Sequence, residues 1–203
     1  MDSDNLDTAL VYASANGEID KVTILLAMGA RVDAREQGFT PILVAAQLGH
    51  KEVCELLLAT GKADVKETTP DGCTPLLKAA EKGHTEVCEL LLTNGSDLEE
   101  RKPGILDTAL HCAAINGHQS LLDLLLSHKA DVNSRNRIGF TPLHYASQDG
   151  HLASVPERPQ NPKLSGQQRS TRKNFLDKVR GTVSCKNLKN VSLPLNSMFL
   201  RMI

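Results

Sequence analysis

Histidines recur at one fixed place along this chain, and four imidazoles are the raw material of a zinc site. His50, His84, His118 and His151 each follow a glycine, namely Gly49, Gly83, Gly117 and Gly150. A metal site draws its ligands together from short spacings. These histidines stand 34, 34 and 33 residues apart, one per recurring unit, so they read as structural residues at helix starts. Thr60-Gly61-Lys62 looks like the end of a phosphate loop, but that loop needs a second glycine five residues before Gly61. Leu56 occupies that place. The five cysteines are Cys54, Cys73, Cys88, Cys112 and Cys185, an odd number with no zinc-binding spacing. No His-Glu-x-x-His, Gly-x-Ser-x-Gly or Gly-x-Gly-x-x-Gly occurs. No catalytic residue, cofactor or metal is therefore expected, and the chain is not read as an enzyme.

The positioning elements explain the histidine spacing. Thr8-Ala9-Leu10, Thr40-Pro41-Ile42, Thr74-Pro75-Leu76, Thr108-Ala109-Leu110 and Thr141-Pro142-Leu143 each open a unit, at steps of 32, 34, 34 and 33 residues. Nine residues after each threonine comes a glycine. A period near that length marks a stacked repeat array. Aromatic residues are only 3% of the chain and Trp is absent, which suits a thin stack of Leu/Ala helices better than one compact core.

One unit, residues 74–107, shows the local logic. Thr74 is a good N-cap, because its hydroxyl accepts a bond from a free N–H at the helix start. Pro75 follows where its missing N–H costs nothing. Leu76, Leu77, Ala79 and Ala80 form an apolar stripe, and Gly83 ends the helix in a left-handed conformation. A second helix carries Val87, Cys88, Leu90, Leu91 and Leu92 on a wide apolar face. Cys54 and Cys88 share one repeat position and read as small buried hydrophobes. A polar, turn-rich connection leads to the next unit. A lone helix pair cannot cover its own apolar face, so neighbouring units must stack.

Together these features resemble the ankyrin repeat: Thr-Pro-Leu-His-x-Ala, then Gly-His, a Leu pair, and Gly-Ala-Asp-Val-Asn. Phe140-Thr141-Pro142-Leu143-His144-Tyr145-Ala146 matches the opening and Ala130-Asp131-Val132-Asn133 the closing. The resemblance covers residues 6–152. It implies an all-α solenoid of helix-turn-helix units with β-hairpin-like fingers, and a concave surface built from fingertips and first helices. The motif histidine is present only as His111 and His144; Val11, Leu43 and Leu77 replace it in the first three units, where the family's Thr–His bond must be absent. The fourth unit lacks the fingertip glycine before Thr108, which predicts an irregular finger.

Units are expected near 6–38, 39–72, 73–106 and 107–139, with a partial unit at 140–155, making one array over 1–155. Pro156, Pro159 and Pro162 stop a second helix in the fifth unit. Residues 156–203 read as a basic, Pro/Ser-rich, mostly disordered tail, with Asn174–Val179 able to form a short helix over the open end of the fifth unit. Residues 1–155 hold 13 Lys/Arg against 22 Asp/Glu, a net −9; residues 156–203 hold 10 against 2, a net +8. This break suggests a shortened form of a longer array.

The resemblance implies a non-catalytic scaffold or adaptor that binds other proteins. The alternative is a truncated module of a larger protein, such as a ubiquitin-ligase substrate receptor, a channel or a kinase-associated protein, with its activity elsewhere. By resemblance, partner contacts fall on Glu36, Gln37, Phe39, Gln47, Leu48, Pro70, Asp71, Glu81, Lys82, Ile105, Ile115, Asn116, Arg137, Ile138 and Phe140. Phe39 and Phe140 share one register position and are either binding anchors or packing residues. Asn133 is the one closing asparagine that similar repeats offer to an oxygen-dependent asparaginyl hydroxylase. Nucleic acid or an anionic membrane is a partner only through the tail, around Arg169-Ser170-Thr171-Arg172-Lys173. A monomer is expected. The N-terminus carries no recognisable signal peptide, and reduced thiols point to the cytoplasm or nucleus.

Overall fold

Four of the five first helices begin directly after the unit-opening threonine, at Pro41, Pro75, Ala109 and Pro142; the first begins at Ser3, so Thr8 lies inside it and does not start a helix as its spacing predicts. The computed structural model describes residues 3–149, and the side chains of residues 4–146. The helices are α1 (Ser3–Asn16), α2 (Ile19–Ala27), α3 (Pro41–Leu48), α4 (Lys51–Ala59), α5 (Pro75–Lys82), α6 (Thr85–Thr93), α7 (Ala109–Ile115), α8 (Gln119–Ser127) and α9 (Pro142–Asp149). Thr40, Thr74 and Thr108 hold extended backbone just before α3, α5 and α7, and Pro41 and Pro75 take the first helical turn. Thr74 caps its helix only at the limit of hydrogen-bonding distance, 3.5 Å from the Leu77 N–H. The Thr40 hydroxyl is buried with no hydrogen-bond partner among the described residues, so proline and extended geometry, not a side-chain cap, start α3.

The helices form two rows. Inner helices α1, α3, α5, α7 and α9 pack in sequence, and outer helices α2, α4, α6 and α8 pack behind them. Alanine pairs set the inner spacing. Ala45, Ala46, Ala79, Ala80 and Ala113 are wholly buried, and their small side chains let successive helices approach closely. Leu57, Leu91 and Leu125 fill the layer between the rows with no exposure. Each contributes roughly 1.5–3 kcal/mol by leaving water. Cys54 and Cys88 occupy the position that Leu122 fills in α8, and all three are fully buried. Burial pushes the Cys54, Cys88 and Cys112 thiols up to about 12. They remain protonated and act as hydrophobes.

The glycine-following histidines tie units together. His50 Nε2–H donates to the Ala15 carbonyl (2.8 Å), His84 to Gln47 (3.1 Å) and His118 to Glu81 (3.1 Å). Each ring reaches back into the preceding unit and lies on that unit's helix-ending glycine. A Cβ at Gly49 would meet the His84 ring at 2.5 Å, and one at Gly83 the His118 ring at 2.6 Å. These residues stand at helix starts as expected, yet none caps its own helix with its side chain. His151 lies outside the described residues.

His111 joins the fourth unit to the fifth. Its Nδ1 accepts from the Thr108 N–H (3.2 Å) and faces the Thr108 hydroxyl (2.9 Å); its Nε2–H donates to the Phe140 carbonyl (3.0 Å). The neutral tautomer with its proton on Nε2 satisfies this arrangement. Burial lowers the His111 pKa below its ordinary 6.5, and burial lowers that of His144 in the same way. The unfolded chain is then the better proton acceptor. Stability is fully present above pH 6.5 and declines as pH falls from there toward the depressed folded value. Thermal unfolding should shift down between pH 7.5 and pH 5, and His111→Leu, which installs the residue at the equivalent Leu43 and Leu77 positions, should flatten that slope. An unchanged slope would remove His111 as its source.

The connections between units stand off as fingers whose tips differ in length. Glu36 and Phe39 exchange backbone bonds (3.0 and 2.9 Å) around Gln37-Gly38. Gln37 and Gly38 both have positive φ, as a tight hairpin turn requires. Thr69 and Cys73 close around Pro70-Asp71-Gly72, and Asn136 and Phe140 around Arg137-Ile138-Gly139. The fourth unit's finger runs Pro103-Gly104-Ile105-Leu106 between Lys102 and Asp107, and Leu106 takes φ +63 where no glycine is available. That is the irregularity its sequence predicts. Strand segments are absent among the described residues apart from the single bridge at Glu36 and Phe39. The tail 156–203, the Asn174–Val179 segment and any second helix of the fifth unit lie outside the described residues.

Candidate interaction surface

The fingertips and the C-terminal ends of the inner helices carry the residues expected to meet partners. The outer helices α4, α6 and α8 expose no large hydrophobic side chain, whereas inner helices and fingers expose Tyr12, Leu48, Ile105, Leu106, Ile115 and Ile138. Leu48 is 50% exposed and Ile138 61%. Isolated exposed aliphatics are ordinary on protein surfaces, and in the first unit the outer helix α2 exposes Ile19 and Ile24, with Met28 directly after it. From α3 onward the exposed aliphatics fall on inner helices and fingers.

Several of the residues expected to meet partners are engaged within the array. Glu36 accepts the Thr8 hydroxyl (3.1 Å). Gln47 gives its carbonyl to His84. Asn116 turns its amide onto the Cys112 carbonyl (2.9 Å) and closes α7. Asp71 pairs with Lys78 (3.0 Å), and the Thr69 hydroxyl and the Lys78 ammonium hold its carboxyl well below the usual carboxylate range. Glu81 pairs with Lys102 (3.1 Å). Pro70 abuts Gly38 of the preceding fingertip, where an added Cβ would lie 2.4 Å from its ring. Phe140 is half-buried, stacks on His144 at 5.4 Å and meets Tyr145 edge-on at 5.7 Å. Its ring therefore packs within the fifth unit. Phe39 is also half-buried. Gln37, Lys82, Ile105, Ile115, Arg137 and Ile138 remain exposed.

The structure adds residues that spacing did not single out. Arg35 donates to the Thr68 carbonyl of the next finger (3.2 Å) and pairs with Glu67. Arg101 and Arg135 also brace fingers. These arginines lie five, seven and six residues before the unit-opening threonine, so variable finger length erases their register. Beneath the fingers, the buried Asp107 carboxylate accepts the Asn136 amide (2.7 Å), and that amide also reaches the Tyr145 hydroxyl (2.9 Å).

Among the described residues no group of three or more His, Cys, Asp and Glu side chains could hold a metal ion. Thr60, in the segment that looks like a phosphate loop, donates its hydroxyl to the Leu57 carbonyl (2.6 Å) and ends α4. A groove of about 420 Å³ lies between α1 and α2, lined by Ala9, Tyr12, Asn16 and Ile24, at the end of the array remote from the last fingers. Asn133 is exposed, and its N–H closes a local turn onto Asp131 (2.9 Å). The Arg169–Lys173 cluster lies outside the described residues. No described helix is long and apolar enough to cross a membrane.

A family model described as ankyrin repeats, in three copies, matches residues 10–102, and a second, for many copies, matches residues 110–156. No curated protein matches the chain.

Proposed function

The chain belongs to the ankyrin-repeat family, whose arrays generally mediate protein–protein contacts, and from that premise we propose that it is a non-catalytic scaffold or adaptor that holds partner proteins against its inner helices and fingertips. The observation that carries this reading is the exposure of large aliphatics on inner helices and fingers from α3 onward. Leu48, Ile105, Ile115 and Ile138 face solvent, while α4, α6 and α8 present no exposed large hydrophobic; in the outer row only α2, in the first unit, exposes Ile19 and Ile24. Apolar side chains exposed on an array give a partner surface to bury at the centre of an interface, and a polar rim surrounds such a centre.

Partners identified by proximity labelling in cells supply the assay. Leu48→Asp with Ile115→Asp is expected to lower affinity for a direct partner by at least about tenfold, while Glu89→Lys on exposed α6 leaves it unchanged. Circular dichroism should show the same helicity for all three proteins. Loss of binding only with Glu89→Lys would move the surface to the outer row. Ile138→Ala serves as a milder probe; Phe140→Ala does not, because Phe140 packs on His144 and Tyr145.

A further inference from the structure

Arg35 and Arg101 do the same work in different fingers. Arg35 donates from Nη1 to the Thr68 carbonyl of the following finger and from Nη2 to the Glu67 carboxylate. Arg101 donates from Nη1 to the Arg135 carbonyl of the following finger (2.8 Å) and from Nη2 to the Ser134 hydroxyl (3.1 Å). A hydroxyl stands in the later pair where a carboxylate stands in the earlier one. The bracing geometry is retained and the charge compensation is lost.

The neighbouring cations repeat this pattern. Arg135 donates to the Gly139 carbonyl (3.0 Å) and Arg137 to the Gly104 carbonyl (3.5 Å). Carbonyls hold a guanidinium in place without cancelling its charge. Arg101, Arg135 and Arg137 are all exposed, and among the described residues none pairs with a carboxylate within 4.0 Å. Beside them stand Ile105, Leu106 and Ile138, at 37%, 39% and 61% exposure. The Arg137 N–H donates to the Ile105 carbonyl (2.8 Å), so the last two fingertips form one joined edge.

We propose that this joined edge docks a partner segment carrying carboxylates beside an aliphatic or aromatic side chain. The proposal rests on the reading of the finger side as a protein-binding surface and narrows it to one place and one partner chemistry. Guanidinium groups pair with carboxylates through a planar fork, and a braced side chain loses less freedom on pairing. The adjacent aliphatics supply the apolar contact that an ion pair at an exposed rim lacks. Anionic membranes and nucleic acid fit less well. Residues 1–155 carry a net −9, so an extended polyanion laid along the repeats meets repulsion, while a short acidic segment at this edge meets the guanidiniums at close range and charges beyond a screening length of about 8 Å count for little.

The test pans a random dodecapeptide display library against the full chain and measures the affinity of enriched peptides made synthetically. Enriched sequences should place Asp or Glu next to Leu, Ile or Phe. Arg137→Glu should weaken them at least tenfold with an unchanged circular dichroism spectrum, Lys62→Glu should leave them unchanged, and raising salt from 50 to 300 mM should weaken them severalfold. Enriched peptides without acidic residues, or acidic ones indifferent to Arg137→Glu, would overturn the proposal. Peptides that lose affinity on Leu48→Asp but not on Arg137→Glu would overturn it while leaving the broader scaffold reading standing. Failure to enrich any peptide counts against both. Binding to phosphatidylserine vesicles that Arg137→Glu abolishes would overturn it in favour of a membrane surface.

Discussion

Asn136→Ala is expected to cost about 3–5 kcal/mol and to loosen the last two units before the others. The Asn136 amide donates to the Asp107 carboxylate and the Tyr145 hydroxyl, and its oxygen accepts the N–H groups of Ile138 (3.1 Å) and Phe140 (2.9 Å). One side chain thus shapes the last finger and satisfies a carboxylate that is only 6% exposed. Truncation leaves that carboxylate with the Tyr145 hydroxyl at 3.5 Å as its remaining side-chain partner among the described residues. An uncompensated buried charge is among the most destabilising outcomes of a point substitution. Asn136→Asp keeps the shape but sets two carboxylates against each other, and should be no better than alanine. Because each unit of such an array touches only its neighbours, the damage should be local. Hydrogen exchange should accelerate across residues 109–146 and stay unchanged across residues 10–60. Uniform acceleration would show that the array unfolds as one cooperative body.

Gly83→Ala should destabilise by about 2–3 kcal/mol, of which about 1–2 arises from forcing a Cβ into left-handed backbone and the rest from the joint with His118. Gly83 has φ +79, and the new methyl would stand 2.6–2.7 Å from three atoms of the His118 ring. That ring is pinned by its bond to the Glu81 carbonyl, so it cannot swing away without losing the bond. Gly95 provides the comparison. It has φ +91, and a Cβ added there would meet nothing within 4 Å, so Gly95→Ala should show the backbone cost alone. Denaturant unfolding of the two variants isolates the joint as a difference. Equal losses would mean that the histidine contact contributes nothing.

Periodic features of this fold can be read in the sequence, and features that depend on meetings between units cannot. Thr74, Pro75 and Gly83 act within one short helix, so their types and spacing suffice to mark its ends. The leucine stripe of α6 predicts its own burial for the same reason. His84 sits at an equally regular place, yet its partner is a carbonyl 37 residues earlier, and nothing local names it. Phe140 stands open between anchor and packing on sequence alone, because the decision belongs to the His144 and Tyr145 rings it meets after folding. The Asp107–Asn136–Tyr145 cluster brings together residues from two fingers and an inner helix, each ordinary by itself. Arg101 gives no periodic signal because its finger is longer than that of Arg35, which shifts it out of register with the threonines.

The unequal fingers have a consequence for whatever binds across them. A partner laid along identical units would find almost the same surface after sliding by one repeat, and several registers would compete. Here successive tips present Gln37-Gly38, Pro70-Asp71-Gly72, Pro103-Gly104-Ile105-Leu106 and Arg137-Ile138-Gly139. A shift by one unit exchanges an amide for a carboxylate, or a proline for an arginine, at a different height. Translational ambiguity is removed by the loops themselves, so a ligand spanning two or more tips has one preferred alignment along the chain.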